Sequence, residues 1–404
     1  MLYFHVLKIK QKRFNTFIFV ENNSIFLDQK LHILFLCGWY PSRVFPTNGD
    51  FIQRHAEAVA MRHKVTVLHI ITDENLSVKK EIEFAKINNV ETYIGYVKKT
   101  KNPFLKWKRF ISMFSELSSK INAFDVIHVN TLFPLGLFGL YLKLTKKSPY
   151  IISEHWTGYH SPRSKNMGII QKSLSKMIVK NASFVCPVTD NLADSMKQLG
   201  FNGNYYKVPN VVDTGVFTPI KNTHKTFTII HVSSLFDAHK NVSGMLEVAK
   251  KLEEKIGYFS WKFIGGTENN FKDQLKKLDF KKAKIEFINH IPQQELVSHL
   301  QSASIFVLFS NYENLPCVIL ESFSCGVPVI STNVGGISEY FPNDFGKLIE
   351  PKNEEQLLEN LLQFSKNEPV DKDKMHAYAI QNFGKNAIAS TFSELYHSSL
   401  KKYT

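Results

Sequence analysis

The sequence has few cysteines and lacks a long hydrophobic run. The cysteines are Cys37, Cys186, Cys317 and Cys325. They show no Cys-x-x-Cys spacing and no neighbouring histidine cluster, so neither a zinc site nor a disulfide framework is indicated. The longest apolar stretch, LFPLGLFGLYL at 132–142, contains proline and glycine and is well short of the ~20 residues of a membrane-spanning helix. We therefore expect a protein without a transmembrane helix, in the reducing cytoplasm.

The first thirty residues do not predict a secretory signal peptide. Residues 1–30 carry basic side chains at Lys8, Lys10, Lys12 and Arg13, but the apolar FIFV that follows them is too short for the hydrophobic region of a signal peptide. We treat 1–30 as an N-terminal extension of unknown role.

Acidic residues are too few to balance the basic ones. Lysine and arginine number 50 against 36 acids, which gives a net charge of +14. Such a balance attracts phosphates, anionic lipid or nucleic acid, although lysines scattered over solvated faces explain it equally well. The sequence contains no RNP or zinc-finger signature, and we expect no nucleic-acid partner.

Short β-branched or aromatic runs alternate with helical periodicity from residue 31 onward, which predicts an α/β fold with parallel sheets. The length of 404 residues favours about two domains. The predicted strands are 31–37, 64–70, 125–130 and 149–154, and then 227–233, 260–266, 283–289, 303–310 and 327–332. We place a first domain at 31–206, a second at 207–384, and a last helix, about 385–404, back on the first. Ligands of such doubly wound domains bind beyond the carboxyl ends of the strands, which predicts a site in the cleft between the domains.

Two glutamates stand close together in NYENLPCVILESFSCGVPVISTNVGG, residues 311–336. Glu313 falls on a loop after a predicted strand, and Pro316 suits the first position of a helix that contains Glu321. The N-terminus of a helix attracts phosphate, and a carboxylate accepts hydrogen bonds from sugar hydroxyls. The pair therefore predicts a nucleotide-sugar site, with one acid at the sugar and the other at the ribose.

The spacing from Glu313 to Glu321, with the trailing CGVPVISTNVGG, resembles the E-x7-E signature of retaining GT-B glycosyltransferases of family 4, the glycosyl transferases group 1. The resemblance extends over about 31–402. It implies two doubly wound Rossmann-like domains facing across a cleft. It also implies metal-independent transfer of a sugar from a nucleotide-sugar donor to a glycan or lipid-linked acceptor, as in cell-surface polysaccharide synthesis. We expect no cofactor, and we interpret the Asp-x-Asp sequence at 371–373 as a solvated turn rather than a metal site.

The resemblance also implies site residues in the first domain. The stretch FLCGWYPSRVFPTNGDFIQRHAEAVA, 35–60, is similar to the family's first strand, glycine loop and first helix, with Gly49 where the backbone approaches the donor phosphate or the acceptor. In SEHWTGYH, 153–160, His155 stands at the end of a predicted strand. This position implies a contact to the donor sugar near the reacting carbon. His155 and Glu313 are the residues expected at the reaction centre.

The remaining expected donor contacts lie in the second domain. In HVSSLFDAHKNVSGML, 231–246, Lys240 matches a lysine that holds the diphosphate, while Ser234 stands where the family has an arginine. A hydroxyl group carries no charge. The other expected donor contacts are Gly265, Gly266, Ile291, the backbone of Asn314, Leu315, Pro316 and Cys317, and the side chain of Glu321.

Two alternatives stay open for the function, and two for a basic segment. A sugar-nucleotide epimerase on the same fold would bind the donor without an acceptor, and a basic protein without catalytic activity would bind membrane or nucleic acid.

Residues 98–114, KKTKNPFLKWKRFISMF, predict an amphipathic helix from 103. Its apolar stripe either belongs to the core or contacts an anionic membrane surface, which would make the enzyme peripheral at the inner face of the membrane.

Overall fold

The computed structural model of the protein describes residues 29–221, 226–366 and 370–403. All but the last two residues of the predicted N-terminal extension lie outside the described residues. The described chain contains two mainly parallel sheets with helices around them, which confirms the predicted GT-B fold class.

The first sheet has the strand order β3-β4-β2-β1-β5-β6-β7. Its strands are β1 (His32–Cys37), β2 (Lys64–Asp73), β3 (Lys80–Ile87), β4 (Val90–Lys98), β5 (Val126–Asn130), β6 (Tyr150–Glu154) and β7 (Phe184–Pro187). All neighbours are parallel except β3 and β4, which form an antiparallel hairpin. The strands β1, β5 and β6 are almost entirely buried, as expected for a parallel sheet covered on both faces.

The second sheet has the order β10-β9-β8-β11-β12-β13. Its strands are β8 (Thr228–Val232), β9 (Ser260–Ile264), β10 (Lys284–Ile288), β11 (Ile305–Leu308), β12 (Val329–Thr332) and β13 (Gly346–Ile349). The order reverses between β8 and β11, where ligands of doubly wound sheets bind. The loops that follow these two strands carry Ser234 and Glu313.

Thirteen α-helices lie in the described residues. They are α1 (Asp50–Ala60), α2 (Pro103–Ser119), α3 (Gly136–Lys146), α4 (Ile169–Asn181), α5 (Asp190–Gln198), α6 (Asp237–Lys240), α7 (Val242–Ile256), α8 (Lys272–Leu278), α9 (Gln293–Gln301), α10 (Cys317–Ser324), α11 (Glu354–Phe364), α12 (Lys372–Phe383) and α13 (Lys385–Lys401). None of these helices is long and apolar enough to span a membrane.

The last helix, α13, packs against α1, β5 and β6 of the first domain. The buried Tyr396 hydroxyl lies 2.7 Å from Nδ1 of His128, and Ser393 Oγ lies 2.9 Å from Nε2 of His63. The chain therefore crosses between the domains twice. At the crossing, the backbone N–H of Val212 donates to the carbonyl of Phe383 at 2.9 Å, so the two crossing segments are hydrogen-bonded to each other.

Candidate active site

Glu313 and Glu321 line one cavity of about 560 Å³ between the two domains. The loop after β11 carries Glu313, and Pro316 precedes the first turn of α10, where its missing N–H costs nothing. Glu321 lies one turn further along α10 and is only 2% exposed. Six other residues expected at the donor also line the cavity, namely Ser234, Lys240, Gly265, Ile291, Pro316 and Cys317.

The carboxylate of Glu321 is held by an arginine from the other domain. Arg54 on α1 places Nη1 2.6 Å from Oε1 of Glu321, and its Nη2 lies 2.9 Å from Oδ2 of Asp50. Burial raises the pKa of Glu321, and the charge and hydrogen bond of Arg54 oppose that rise. The guanidinium therefore stabilises the charged form of an acid that is almost fully buried.

Sequence reasoning missed Arg54, although it lines the same cavity as the expected donor contacts. It follows Gly49 by five residues and Asp50 by four, which places it on the face of α1 that also carries Asp50. A basic residue one turn into the helix that follows the glycine loop could have identified Arg54 as a candidate site residue from the sequence.

Glu313 is paired in the same way, within its own domain. Its carboxylate forms an ion pair with Lys240, the last residue of α6, and both side chains are largely buried. The loop is fixed by Asn311, whose backbone N–H donates to the carbonyl of His239 at 2.7 Å. Ser234 lines the cavity nearby, is exposed, and carries no charge. The diphosphate region predicted from the sequence thus contains Lys240 and, from the first domain, Arg54.

A second cavity, of about 570 Å³, meets the first at Glu313. Arg163 donates a hydrogen bond to His239 on its wall, and the Arg163 guanidinium carbon lies 5.9 Å from the ring centre of Tyr312. Desolvation, with the neighbouring charges of Arg163 and Lys240, lowers the pKa of His239. Glu313 therefore lines both cavities.

His155 follows β6, as predicted, but its imidazole is covered. The ring centre lies 4.7 Å from that of Phe51 and 5.5 Å from that of His55. Burial, with a smaller contribution from His55, lowers the pKa of His155 well below its usual value, and Asn210 opposes this shift. Neither ring nitrogen has a well-formed hydrogen bond among the described residues. The ring lines neither of the two cavities in this structure and packs against Phe51 instead.

Asn314 connects the two domains through its side chain. Its Nδ2 donates to the carbonyl of His155 at 2.6 Å, and its Oδ1 accepts from Nε2 of His160 at 2.5 Å. The other ring nitrogen of His160 lies 2.7 Å from Ser195 Oγ. The amide is thus occupied by the first domain, and the expected donor contact of Asn314 falls to its backbone. Leu315 is buried and its carbonyl accepts from Asn210 at 2.8 Å.

Gly49 occupies a position that excludes a side chain. Its φ is +79°, and a Cβ there would lie 2.5 Å from the carbonyl carbon of Trp39. The glycine lets the loop before α1 fold against Trp39 and Tyr40. Its neighbours Thr47 and Asp50 line the donor cavity.

Gly265 and Gly266 differ in their placement. Gly265 has φ +114°, and a Cβ would lie 2.0 Å from the carbonyl oxygen of Ser233. Their N–H groups donate to the carbonyl of Ile288 at 2.9 and 3.3 Å. Gly265 lines the cavity and Gly266 packs against Leu235 instead. Both N–H groups thus donate to β10, the edge strand of the second sheet.

Metal ligands do not cluster in the part of the chain that the structure describes: no three His, Cys, Asp or Glu side chains are grouped there. Asp371 of the Asp-x-Asp sequence caps α12 by accepting from the N–H of Lys374 at 2.9 Å. The metal independence implied by the resemblance stays a prediction.

Solved structures with this architecture are glycosyltransferases of the GT-B fold. Sucrose-phosphate synthase from Thermosynechococcus elongatus superposes with a TM-score of 0.73 at 17% identity, over 91% of this chain and 98% of that one. The Anabaena protein HepE in complex with UDP superposes with a TM-score of 0.66 at 15% identity, over 91% and 99%. At these identities the likeness shows the fold.

The sequence comparisons define the family. Residues 51–216 match the model described as Glycosyltransferase Family 4, and 217–383 match Glycosyl transferases group 1. An uncharacterized glycosyltransferase of Methanocaldococcus jannaschii is 25% identical over 345 residues, 82% of this chain and 89% of that protein. A putative teichuronic acid biosynthesis glycosyltransferase of Bacillus subtilis is 24% identical, over 66% and 69%. The chain belongs to this glycosyltransferase family and is a glycosyltransferase, which confirms the predicted family and excludes the alternative without catalytic activity. The roles of individual site residues and the domain boundaries stay predictions.

Proposed function

We propose that the protein is a retaining glycosyltransferase that takes its sugar from a nucleotide-sugar. The observation that carries this is the placement of Glu313 and Glu321 in one cleft cavity at the start of α10. The helix N-terminus favours the diphosphate. Glu313 lies on the loop before this helix N-terminus and Glu321 one turn after it, and the two carboxylates accept hydrogen bonds from hydroxyls, with Glu321 at the ribose and Glu313 at the sugar.

The charged side chains of the cavity support a dianionic ligand. Lys240 and Arg54 pair with Glu313 and Glu321 in this structure. Hydroxyls of a bound donor replace these cations on the carboxylates, and the cations turn to the diphosphate. Arg54 thereby compensates for the charge that Ser234 does not carry. Charge that develops on the leaving phosphate is stabilised by both cations and by the helix N-terminus.

The stereochemical proposal follows from the resemblance. In a front-face reaction the leaving phosphate helps to accept the proton of the acceptor hydroxyl, and no enzyme nucleophile is required. The two side-chain cations take over the neutralising role of a metal ion, which is consistent with metal-independent transfer. Since His155 adjoins Asn314 through its backbone, opening of the Phe51 contact would bring its imidazole to the sugar.

The acceptor is proposed to be a glycan or a lipid-linked glycan of the cell surface. The B. subtilis relative is named for teichuronic acid biosynthesis, and an Escherichia coli relative, 27% identical over 136 residues, is an O-antigen chain mannosyltransferase. We propose a cytoplasmic enzyme that reaches such acceptors through the basic segment 98–114 at the inner face of the membrane. An epimerase is the second candidate on this fold, but the family match favours transfer.

A donor panel tests the proposal. The protein is mixed with UDP-, GDP- and ADP-sugars and a crude lipid-linked acceptor, and release of nucleoside diphosphate and product mass are followed. We expect one donor to yield a glycosylated product with the anomeric configuration of the donor, in the presence of EDTA. Inversion of configuration would contradict the retaining mechanism, and loss of transfer with EDTA would contradict metal independence. Conversion of the donor sugar without an acceptor would favour the epimerase.

A further inference from the structure

Helix α2 lines an apolar cavity in the first domain. This cavity has no lining residue in common with the cavity that contains Glu313 and Glu321. The cavity has a volume of about 440 Å³, within the ~300–1,000 Å³ typical of ligand pockets. Its walls are mostly apolar residues of α2, β2, α3 and the segment before α3, together with residues at the end of β1. They are Cys37, Gly38, Ile70, Pro103, Lys106, Trp107, Phe110, Pro134, Leu135 and Phe138.

A basic cavity of about 360 Å³ lies on the other side of Lys106. It also contains Lys98, Lys99 and Arg109. Lys99 is paired with Glu74, and Arg109 donates to the carbonyls of Lys98 and Lys99. Lys106 forms no ion pair among the described residues, and its Nζ lies 6.0 Å from the ring centre of Phe110. An unpaired ammonium group thus stands where the apolar cavity meets the basic one.

The apolar cavity is connected to the reaction centre by the end of β1. Cys37 and Gly38 form its wall, and the next residue, Trp39, has its ring 6.2 Å from that of Phe51. Phe51 covers His155 at 4.7 Å. The apolar cavity is therefore linked to Phe51 and His155 through Trp39, the residue that follows its wall.

We propose that these two cavities bind the single-chain lipid phosphate of the acceptor, with the hydrocarbon chain against Trp107, Phe110 and Phe138 and the phosphate on Lys106. This inference rests on the proposed function and specifies the acceptor class. A partly open apolar cavity, at whose edge Lys106 forms no ion pair among the described residues, matches an amphiphile with one chain and one anionic group. A bilayer headgroup would use the scattered lysines of the outer face and would leave the cavity empty.

Short alkyl phosphates test the proposal in solution. Octyl phosphate below its micelle concentration is titrated into the full chain by calorimetry, with octanol and inorganic phosphate as probes of each half. We expect octyl phosphate to bind at least tenfold more tightly than either, and hexyl to octyl phosphate to gain about fourfold per methylene. Trp107 emission should shift on binding. The shift should vanish in Trp107→Phe, whose calorimetric binding remains.

Three variants locate the site. Lys106→Glu removes the cation at the cavity mouth, and Leu135→Trp fills the apolar end, so each should weaken octyl phosphate binding at least tenfold. Lys108→Glu is the matched control on the same helix, because Lys108 lines neither cavity, and it should change affinity less than twofold. Equal weakening by Lys106→Glu and Lys108→Glu, or unchanged binding in both Lys106→Glu and Leu135→Trp, would overturn the proposal.

A nucleoside diphosphate titration separates this inference from the proposed function. Wild-type protein that binds the nucleotide but not octyl phosphate would refute the lipid site alone. Protein that binds octyl phosphate but no nucleotide would refute the donor site and leave a lipid-phosphate site standing.

Discussion

Arg54 and Glu321 meet across the interdomain cleft, with Nη1 and Oε1 2.6 Å apart. The two residues are 267 positions apart in sequence and lie on helices that pack against different sheets, α1 and α10, so the contact depends on how the domains are placed. Because Glu321 is almost fully buried, its charge is compensated mainly by a residue of the opposite domain.

Replacing Arg54 by Gln should destabilise the protein by about 3 kcal/mol at neutral pH, because it leaves a buried carboxylate unpaired. Burial already raises the pKa of Glu321 and Arg54 opposes the rise, so the folded-state pKa rises further in the variant. An acid whose pKa is higher in the folded than in the unfolded protein lowers the free energy of unfolding at pH values above the unfolded-state pKa. This loss of stability disappears as the pH falls below the unfolded-state pKa. Urea unfolding at pH 7 and near pH 4 measures this.

The control for that experiment is Arg62→Gln, a change of the same kind at an exposed position just after α1. Its free energy of unfolding should stay within about 0.5 kcal/mol of the wild-type value. A deficit in Arg54→Gln that is as large at pH 4 as at pH 7 would show that Glu321 is not the group responsible.

Glu313→Gln should reduce sugar transfer at least tenfold, which corresponds to about 1.4 kcal/mol of barrier. Affinity for the free nucleoside diphosphate should be retained or should rise, because Lys240 loses its partner and becomes available to the phosphates. Steady-state kinetics and calorimetry measure the two effects. Glu354→Gln is the control, since Glu354 pairs with Lys251 at 2.9 Å outside the cleft. Parallel loss of nucleotide binding and transfer would argue against a sugar contact.

His155→Ala should lower transfer at least tenfold while nucleoside diphosphate binding stays intact. Burial keeps the pKa of His155 well below 6.5, so the imidazole is neutral at pH 7 and acts through a hydrogen bond. The pH profile of the residual activity between about pH 6 and 8 should therefore keep the wild-type shape. A fully active variant would remove His155 from the reaction centre, and a changed profile would show that its charge matters.

Vesicle binding tests the membrane role of α2. The structure divides the predicted apolar stripe: Phe114 is buried in the core, whereas Phe104 and Ile111 are 85% and 54% exposed. Each basic residue near an anionic surface contributes about 1 kcal/mol, so changing Lys101 and Lys108 to Glu should weaken sedimentation with anionic vesicles at least about thirtyfold. Wild type should not bind neutral vesicles, and salt should weaken its binding.

The vesicle control keeps the total charge equal. Lys276→Glu with Lys277→Glu makes the same change on the exposed side of α8 in the second domain. Arg109 is left unchanged because it holds the loop before α2. Similar losses in both double variants would indicate general electrostatic attraction instead of a contact through α2.

The nine strands predicted from β-branched and aromatic runs are all present, because burial on both faces of a parallel sheet selects such residues. The hairpin β3 and β4 was missed. The edge strand KEIEFAKI carries charged residues and is mostly exposed, which hides its alternation. Its available signal was Asn88-Asn89, with φ of 50° and 64°, as a tight hairpin turn requires.

Local motifs also predicted several residues that line the cavity between the domains, since Ser234, Lys240, Glu313 and Glu321 follow or flank adjacent strands of one sheet. Contacts between the domains could not be predicted in this way. Arg54 reaches Glu321, and Asn314 reaches His160, only because of how the two domains are oriented. No periodicity within either segment encodes that orientation.

The placement of α13 has a consequence for synthesis on the ribosome. Domains generally fold as their residues emerge, at ~5–20 residues per second, yet α1 and the adjoining face of the first sheet wait for Phe392 and Tyr396, which are buried against them. The first domain thus stays incomplete until α13 has been made. Loss of α13 would expose apolar surface on the domain that is translated first.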